Sequence, residues 1–180
     1  TCAEGYFHDH YDISEVWDVI IFFIQNLKGT EILDIGCGPD RDVKYFSNHN
    51  LKVTGVDLSD RFLDIASKNV SGAKFIQMDM RNLDFSDNTF DGIWASASFL
   101  HIQKKDAVDT LIGLKRILKL GGLMYINVEK GTQEKFLRKE EYKNKPRLIS
   151  FYTEGEFEEL IKTCGFNILK KLSMKIPMVG

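Results

Sequence analysis

Two glycines that follow an apolar strand have the clearest chemical meaning in this sequence. The stretch ILDIGCGPDRD, residues 32–42, leaves a predicted strand through Gly36 and Gly38 and then becomes charged. A glycine-rich turn after a strand lets the backbone approach a ligand closely, and an acid about twenty residues later can accept both hydroxyls of a ribose. Asp57 ends the next predicted strand. The spacing therefore predicts a turn that binds a nucleoside.

A dinucleotide is less consistent with the same turn. Turns that bind a pyrophosphate have a third small residue where the helix packs closely against the strand. Arg41 occupies that place in this chain. A nicotinamide-dependent dehydrogenase is therefore an alternative that the sequence disfavours.

The elements that would position this turn alternate between strands and helices. Strands are predicted over 31–35, 52–57, 73–78, 91–96, 123–128 and 166–174. Helices are predicted from Ser14 to Gly29, over 41–49, after Ser59, over 104–120 with Gly121 and Gly122 ending it, and after a capping box of Thr153 and Glu156. This alternation predicts an α/β fold with a Rossmann-like, doubly wound, mostly parallel sheet covered on both faces. Ligands bind such sheets outside the carboxyl ends of the strands.

Composition limits the class of protein. With 180 residues, 43% of them hydrophobic, the chain is predicted to form a single domain over 1–180. The formal charge of −2 does not favour a nucleic-acid partner. The apolar run 16–24 is too short to span a membrane and contains Asp18, which predicts a buried helix. Three dispersed cysteines without a CxxC pair indicate reduced thiols and a cytoplasmic protein.

Six stretches in register give the chain a family resemblance. They are LDIGCGPDRD, VTGVDLS, FIQMDMRNLDF, FDGIWASASFLHI, LKRILKLGGLMYINV and FYTEGEFEELIKTCGFNI. Over residues 30–172 the chain resembles the class I S-adenosylmethionine-dependent methyltransferases, in particular the small-molecule group of the methyltransferase-domain 11 type. The resemblance implies the class I methyltransferase fold and S-adenosylmethionine as cofactor, with S-adenosylhomocysteine as product. It also implies methyl transfer to a small-molecule acceptor.

The resemblance also assigns the residues that would bind the cofactor. Gly36 and Gly38 would pass beneath its ribose and methionine part, and Asp34 would orient its amino group through water. Asp57 would bind the ribose, and Asp79 would accept the adenine amino hydrogen. The complete set is Asp34, Gly36, Cys37, Gly38, Asp40, Asp57, Leu58, Asp79, Met80 and Ala95. The alternative for Asp34 and Asp57 is strand-end capping, and for Asp79 and Met80 it is an ordinary loop.

Three departures from the family pattern have consequences. Asp40 stands where the family has a third glycine, and its side chain would repel the methionine carboxylate unless Arg41 or a lysine compensates. Leu120 replaces the usual proline of the turn before the fifth strand, which affects loop rigidity. The family's final antiparallel strand is expected to be missing, because only KIPMVG follows the sixth predicted strand. Since the chain starts at Thr1 without Met, we also expect its natural N-terminus to differ.

The acceptor side of the site has fewer candidates. His101 lies just beyond the fourth predicted strand and could act as a general base, or it could pack beside the cofactor and orient a loop. The N-terminal segment 1–29 is predicted to form a helical cap whose Tyr6 and Tyr11 contact the substrate. His8 and His10, one residue apart, are weak evidence for a metal ion, and no metal is predicted.

A basic segment follows the fifth predicted strand. From Lys130 to Arg147 there are seven Lys or Arg and three Glu. We predict a substrate lid over 130–150 that attracts an anionic acceptor, with a solvated helix as the alternative. An RNA or protein methyltransferase acting through this segment and a non-catalytic cofactor-binding protein of the same fold are the other functions that the sequence leaves open.

Overall fold

Five parallel strands form the centre of the structure, a computed structural model that describes residues 17–138 and 145–173. The strands are β1 (Glu31–Ile35), β2 (Lys52–Asp57), β3 (Lys74–Gln77), β4 (Phe90–Ala95) and β5 (Leu118–Ile126). Their spatial order is β3-β2-β1-β4-β5, and every pairing is parallel. The order reverses between β1 and β4, so the glycine turn after β1 lies at the switch point. The predicted Rossmann-like α/β fold is confirmed.

Helices cover both faces of this sheet. They are α1 (Trp17–Asn26), α2 (Arg41–Asn48), α3 (Asp60–Asn69), α4 (Lys104–Ile117) and α5 (Glu154–Thr163). One face packs α1 and α2 around the fully buried Trp94, whose indole meets Phe23 and Phe46 edge-on at 5.1 and 5.3 Å between ring centroids. The other face packs α4 and α5 against the opposite side chains of β1 and β4. Strand alternation therefore gives the domain two apolar layers.

Local capping explains where two of the helices begin. The Ser59 side chain accepts the backbone N–H of Phe62 at the start of α3. At the start of α5, Thr153 accepts the N–H of Glu156, and the Glu156 carboxylate accepts the N–H of Thr153. Both caps confirm the sequence predictions, because each supplies acceptors for N–H groups that have no partner within the helix.

The basic segment forms strands instead of a helix. A second sheet has the order β6-β8-β7, from β6 (Glu129–Lys130), β7 (Glu134–Leu137) and β8 (Arg147–Tyr152). The β7–β8 pair is antiparallel. The solvated-helix alternative is therefore wrong for the described part of this segment. Local charge did not reveal the apolar and aromatic content of 147–152, where Ile149, Phe151 and Tyr152 favour a strand.

The connection between α4 and β5 differs from the prediction. The helix ends at Ile117, not at 120, because the carbonyls of Arg116 and Ile117 accept the N–H groups of Asn88 and Thr89. Gly121 and Gly122 lie inside β5, which already begins at Leu118. The register with β4 shifts between Phe90 and Gly92, and Gly121 adopts a positive φ of 76° at this irregularity. The glycine pair therefore serves a β-bulge and not a helix end.

The predicted sixth strand is also wrong for the residues described. Residues 166–173 make no strand. Phe166 and Ile168 still pack against the core with the alternation that suggested one. Alternation fixes which side chains face the core, but a strand also needs a neighbour for its backbone ladder, and this segment has none among the described residues.

The cap of α5 allows a test of these local energetics. Thr153→Ala removes the side-chain acceptor at the helix start, so we expect unfolding in urea to show a loss of about 1 kcal/mol. Thr163→Ala makes the same chemical change at an exposed position at the end of the same helix, and should change stability by no more than about 0.5 kcal/mol. Equal losses in the two variants would contradict the capping account.

Candidate functional site

The glycine turn after β1 is held against β2 by its backbone. The N–H groups of Gly36 and Cys37 both donate to the carbonyl of Val56, at 2.8 and 3.0 Å. Gly36 and Gly38 have positive φ values of 67° and 58°, a region that favours glycine. A Cβ on Gly36 would lie 2.6 Å from the Cβ of Ser98, whereas a Cβ on Gly38 would meet nothing within 4 Å. Gly36 thus permits close packing, and Gly38 borders open space.

Asp57 joins the ends of the first two strands. Its carboxylate accepts the backbone N–H of Gly38 at 3.0 Å and the N–H of Ser59 at 2.8 Å. The capping alternative for Asp57 is therefore part of the structure. A carboxylate has about four lone-pair positions, so two such bonds leave capacity for the hydroxyls of a ligand.

The loop after β3 presents a second carboxylate. Asp79 accepts hydrogen bonds from the guanidinium and the backbone N–H of Arg81. These bonds from Arg81 lower the pKa of Asp79 and keep it ionised. Met80 packs partly buried against the core, and Leu58 is 65% exposed beside the same cleft. An exposed leucine next to a cleft is suited to contact a flat apolar ring.

A buried polar cluster lies behind the turn. Asp42 accepts a hydrogen bond from the Trp94 indole at 2.9 Å and two from the Arg41 guanidinium. Burial raises the pKa of Asp34 well above its ordinary value, and the nearby Asp42 charge adds to the rise. Burial, followed by the same charge, raises the pKa of Tyr125 to about 12. Asp34 is only 2% exposed, and one of its carboxylate oxygens has no hydrogen-bond partner in the described structure.

Asp40, at the place of the family's third glycine, is fully buried with a φ of 140°. Neither carboxylate oxygen makes a hydrogen bond of normal geometry within the described residues. Burial raises the pKa of Asp40, although the Asn69 amide and the Lys44 ammonium act in the opposite direction. The carboxyl therefore ionises less readily than an ordinary aspartate.

The loop after β4 contributes residues that the sequence analysis missed. Ala97 has a positive φ of 50°, and its N–H donates to the Asn127 side chain at 2.6 Å. The adjacent Ser98 is buried against Gly36, and its hydroxyl has no partner in the described structure. Ser98 follows β4 and Asn127 follows β5, and this position after a parallel strand is the feature that could have pointed to both. The sequence analysis uses it for His101 and not for these two residues.

His101 lies in a short 3₁₀ turn, Phe99–His101. Its Nδ1 is 2.8 Å from the carbonyl of Leu148 in β8. A carbonyl only accepts, so Nδ1 carries the proton and Nε2 keeps a lone pair. Burial lowers the pKa of His101, and the Arg147 charge adds to the fall, while the Leu148 carbonyl and the Asp57 charge oppose it. The ring is therefore mainly neutral at pH 7.

Most of the predicted site residues follow the carboxyl ends of the strands and line a broad cleft that also extends over other parts of the molecule. They are Gly36, Cys37, Gly38, Asp40, Asp57, Leu58, Asp79, Met80 and His101. Asp34 lies behind the turn and Ala95 is buried in the core at the end of β4, so neither lines the cleft directly. Tyr6 and Tyr11 lie outside the described residues, as do His8 and His10.

Several buried polar atoms border the cleft without a hydrogen-bond partner in the described structure. Buried side-chain atoms without a partner in the described structure belong to five residues, of which Asp40, Ser98, Tyr125 and Tyr152 line the cleft and Asp34 lies behind it. Such atoms cost free energy unless a ligand or water satisfies them. Together with the open side of Gly38, they mark a polar site shaped for a ligand. Fold and site thus define a protein of the class I S-adenosylmethionine-dependent methyltransferase type.

Comparison with known proteins identifies the family. A family model described as a methyltransferase domain matches residues 33–126, just over half of the chain. This chain belongs to that family.

Solved structures and curated relatives agree. An S-adenosylmethionine-dependent methyltransferase from Mesorhizobium loti superposes with a TM-score of 0.73 and 18% identity, covering 89% of this chain and 84% of that one. A second similar structure is the 1,6-didemethyltoxoflavin-N1-methyltransferase of Burkholderia thailandensis, solved with bound 1,6-didemethyltoxoflavin and S-adenosylhomocysteine. Its TM-score is 0.69 and its sequence identity 22%, and the match covers 88% of this chain and 72% of that one. At these identities the likeness shows the fold.

Among curated proteins, the phosphoethanolamine N-methyltransferase of Triticum aestivum is 34% identical over 104 residues, which are 55% of this chain and 20% of that protein. Two other curated relatives are matched over 41% and 48% of their length. The chain thus spans less than half of these relatives.

Two kinds of feature are absent from the described residues. Within 17–138 and 145–173, no helix combines the length and apolar character needed to cross a membrane. In the same ranges, no three His, Cys, Asp or Glu side chains are grouped as metal ligands would be.

The two glycines of the turn make a matched pair of variants. Gly36→Ala adds a Cβ against Ser98 at positive φ, and should cost about 3 kcal/mol of stability in urea unfolding. Gly38→Ala carries only the backbone strain, about 1 kcal/mol. Because its new methyl group enters the open side of the turn, it should weaken S-adenosylhomocysteine binding in calorimetry by about tenfold or more. Unchanged binding by Gly38→Ala would contradict this view of the turn.

Proposed function

We propose that this chain transfers the methyl group of S-adenosylmethionine to a small-molecule acceptor by in-line displacement, in the cytoplasm. The observation that carries the proposal is the turn at Gly36 and Gly38, which opens onto the same cleft as Asp57 and Asp79. Family membership supports the reaction type. Both described cysteines, Cys37 and Cys164, are free and buried thiols, which is consistent with a reducing compartment.

The cleft divides into parts that suit the parts of the cofactor. Asp57 would accept the ribose hydroxyls, and Leu58 and Met80 would flank the adenine. Asp79, fixed by Arg81, would accept from the adenine amino group with the oxygen capacity that Arg81 leaves. The other residues proposed to bind the cofactor are Asp34, Gly36, Cys37, Gly38, Asp40 and Ala95. Asp34 would contact the cofactor through an intervening group, and Ala95 would contribute by positioning its neighbours.

When bound, S-adenosylmethionine supplies a sulfonium methyl that is already electrophilic. The protein therefore contributes mainly by holding the acceptor in line at short distance and by excluding water. The loop with Ala97 and Ser98 is well placed for this work, because Ser98 contacts the turn at Gly36 and Asn127 fixes the conformation of Ala97.

His101 would serve acceptors that must lose a proton. Its Nδ1–H donates a hydrogen bond to the Leu148 carbonyl, so Nε2 is the atom that can accept a proton. The lowered pKa of His101 keeps the imidazole neutral and ready to accept a proton near pH 7. A thiol or carbanion acceptor would not require this base, and His101 would then only orient the loop.

An anionic small molecule is the acceptor class that the charges favour. Arg147 in β8 and His101 both line the cleft, and the Arg147 charge acts with burial to lower the pKa of His101. The second sheet, with the rest of 130–150, would form the substrate lid of a single domain. Residues 1–29 would form its N-terminal cap, in which Tyr6 and Tyr11 would contact the substrate. The wheat relative is named for an acceptor that carries a phosphate, which is consistent with this class.

A non-catalytic cofactor-binding protein is the second candidate, favoured by one observation. The buried Asp40 occupies the place of the family's third glycine and restricts the space there. Since a fold does not fix a function, only turnover separates this candidate from the first. A nucleic-acid substrate is disfavoured by the net charge of −2.

Calorimetry on the full chain tests the cofactor assignment. S-adenosylmethionine and S-adenosylhomocysteine should bind, and NADH should not compete. Asp57→Ala should weaken S-adenosylhomocysteine binding by about ten- to a hundredfold, because it removes charge-assisted hydrogen bonds to the ligand. Asp64→Ala, an exposed aspartate of α3, is the matched control and should bind like the parent protein. Absence of binding by the unaltered chain would refute the proposal.

A paired acceptor panel tests the anionic class. Formation of S-adenosylhomocysteine is measured with aromatic and aliphatic carboxylates and phosphates, each beside its neutral amide or ester. Arg147→Met should raise KM for the anionic member of an active pair by about tenfold, with little change for the neutral one. Lys68→Met on exposed α3 is the charge-matched control. A preference for the neutral members, unaffected by Arg147→Met, would contradict the anionic class.

A further inference from the structure

Three hydrogen bonds attach the segment 101–104 to the second sheet. The ring of His101 donates to the carbonyl of Leu148, and the carbonyl of Ile102 accepts from the hydroxyl of Ser150 at 2.6 Å. The backbone N–H of Lys104 donates to the carboxylate of Glu134, also at 2.6 Å. The turn that carries His101 and the start of α4 are therefore held by β7 and β8.

Glu134 and Ser150 form one unit within that sheet. They are directly paired across β7 and β8, and the Ser150 hydroxyl lies 2.9 Å from the carboxylate oxygen that also accepts from Lys104. Ser150 is fully buried. The hydroxyl has one proton, and the nearer acceptor is the Ile102 carbonyl; because the Glu134 oxygen also accepts from Lys104, moving Ser150 away would leave the buried Ile102 carbonyl without this donor.

The position of Glu134 is also favoured by charge. Its carboxylate accepts an N–H at the first turn of α4, a fourteen-residue helix whose N-terminal end carries a partial positive charge. Lys104 further connects this end of the helix to α5, because its ammonium lies 2.7 Å from the Glu156 carboxylate. The second sheet is thus held against the start of α4 by a charged contact in addition to the hydrogen bonds made by Leu148 and Ser150.

The Leu148 carbonyl and the Ser150 hydroxyl belong to the same six-residue strand, two residues apart, and both contact the turn that carries His101. A shift of β8 that moved Ser150 away from Ile102 would also move the Leu148 carbonyl away from His101. The tautomer of His101 depends on that carbonyl, because it accepts the Nδ1 proton.

We propose that Glu134 and Ser150 are positioning residues, which fix the tautomer and orientation of His101 by holding β8 in register against segment 101–104. This inference deepens the proposed function, because His101 matters for transfer only if the cleft is the methyl-transfer site. Neither residue is expected to touch cofactor or acceptor.

Nitrogen NMR of the histidine rings tests the proposal without an acceptor. The full chain labelled with ¹⁵N-histidine contains four histidines, and His101→Gln identifies the resonances of His101. The parent protein should show a single Nδ1–H tautomer for His101. Ser150→Ala and Glu134→Gln should each cause loss of that pure pattern, with averaged nitrogen shifts and a titration midpoint displaced towards that of an ordinary histidine. Ser71→Ala and Glu159→Gln make the same changes at exposed positions and should leave the pattern intact.

Three further results complete the design. Folded variants that keep the parent tautomer and midpoint would overturn the proposal. Unfolding of both variants, seen by circular dichroism, would overturn it as well, because the residues would then serve the fold as a whole. S-adenosylhomocysteine binding is measured in parallel and should be unchanged in both variants. If the parent chain fails to bind it, the proposed function fails while the tautomer result still decides the role of Glu134 and Ser150.

Discussion

The carboxylate of Asp57 is the contact on which the geometry of the site depends. By accepting one N–H from the turn after β1 and one from the loop after β2, it converts two separate strand ends into a continuous surface. The turn itself can approach β2 because Gly36 and Cys37 share the Val56 carbonyl. The Asp57 charge also opposes the lowering of the His101 pKa that burial causes, so the same carboxylate acts on the acceptor side of the cleft. One side chain at the switch point thus connects the two halves of the site.

A cluster of buried polar side chains behind the glycine turn lowers the stability of the fold. Asp34, Asp42 and Arg41 lie together beneath the turn, and Trp94 places its only donor on Asp42 in a layer that is otherwise apolar. Burying charges costs free energy unless they are paired, and here Asp34 responds with a raised pKa. Proteins break the rules of core packing mainly at functional sites. The position of this cluster, directly behind the glycine turn, agrees with that tendency.

The parts of the structure that the sequence revealed are those with local causes. Five strands, the caps at Ser59 and Thr153, and the turn at Gly36 and Gly38 depend on periodicity, hydroxyl acceptors and backbone freedom, which can be recognised within a few residues. The parts that failed depend on distant partners. The prediction that Gly121 ends a helix is wrong, because its role in a bulge follows from the register of β5 with β4, which the sequence does not show. Residues 166–174 alternated like a strand, but alternation does not supply the neighbour that a strand needs.

The same distinction separates the two halves of the cleft. The half at β1, β2 and β3 is recognised from motifs, and its contacts are made largely by the backbone. The half at β7 and β8 reaches the site through Leu148, Ser150 and Glu134, whose meaning appears only in three dimensions. An evolving lineage can therefore exchange most residues on the outer faces of the second sheet while these few anchors persist. Within such a lineage, acceptor preference is free to diverge on an inherited cofactor platform.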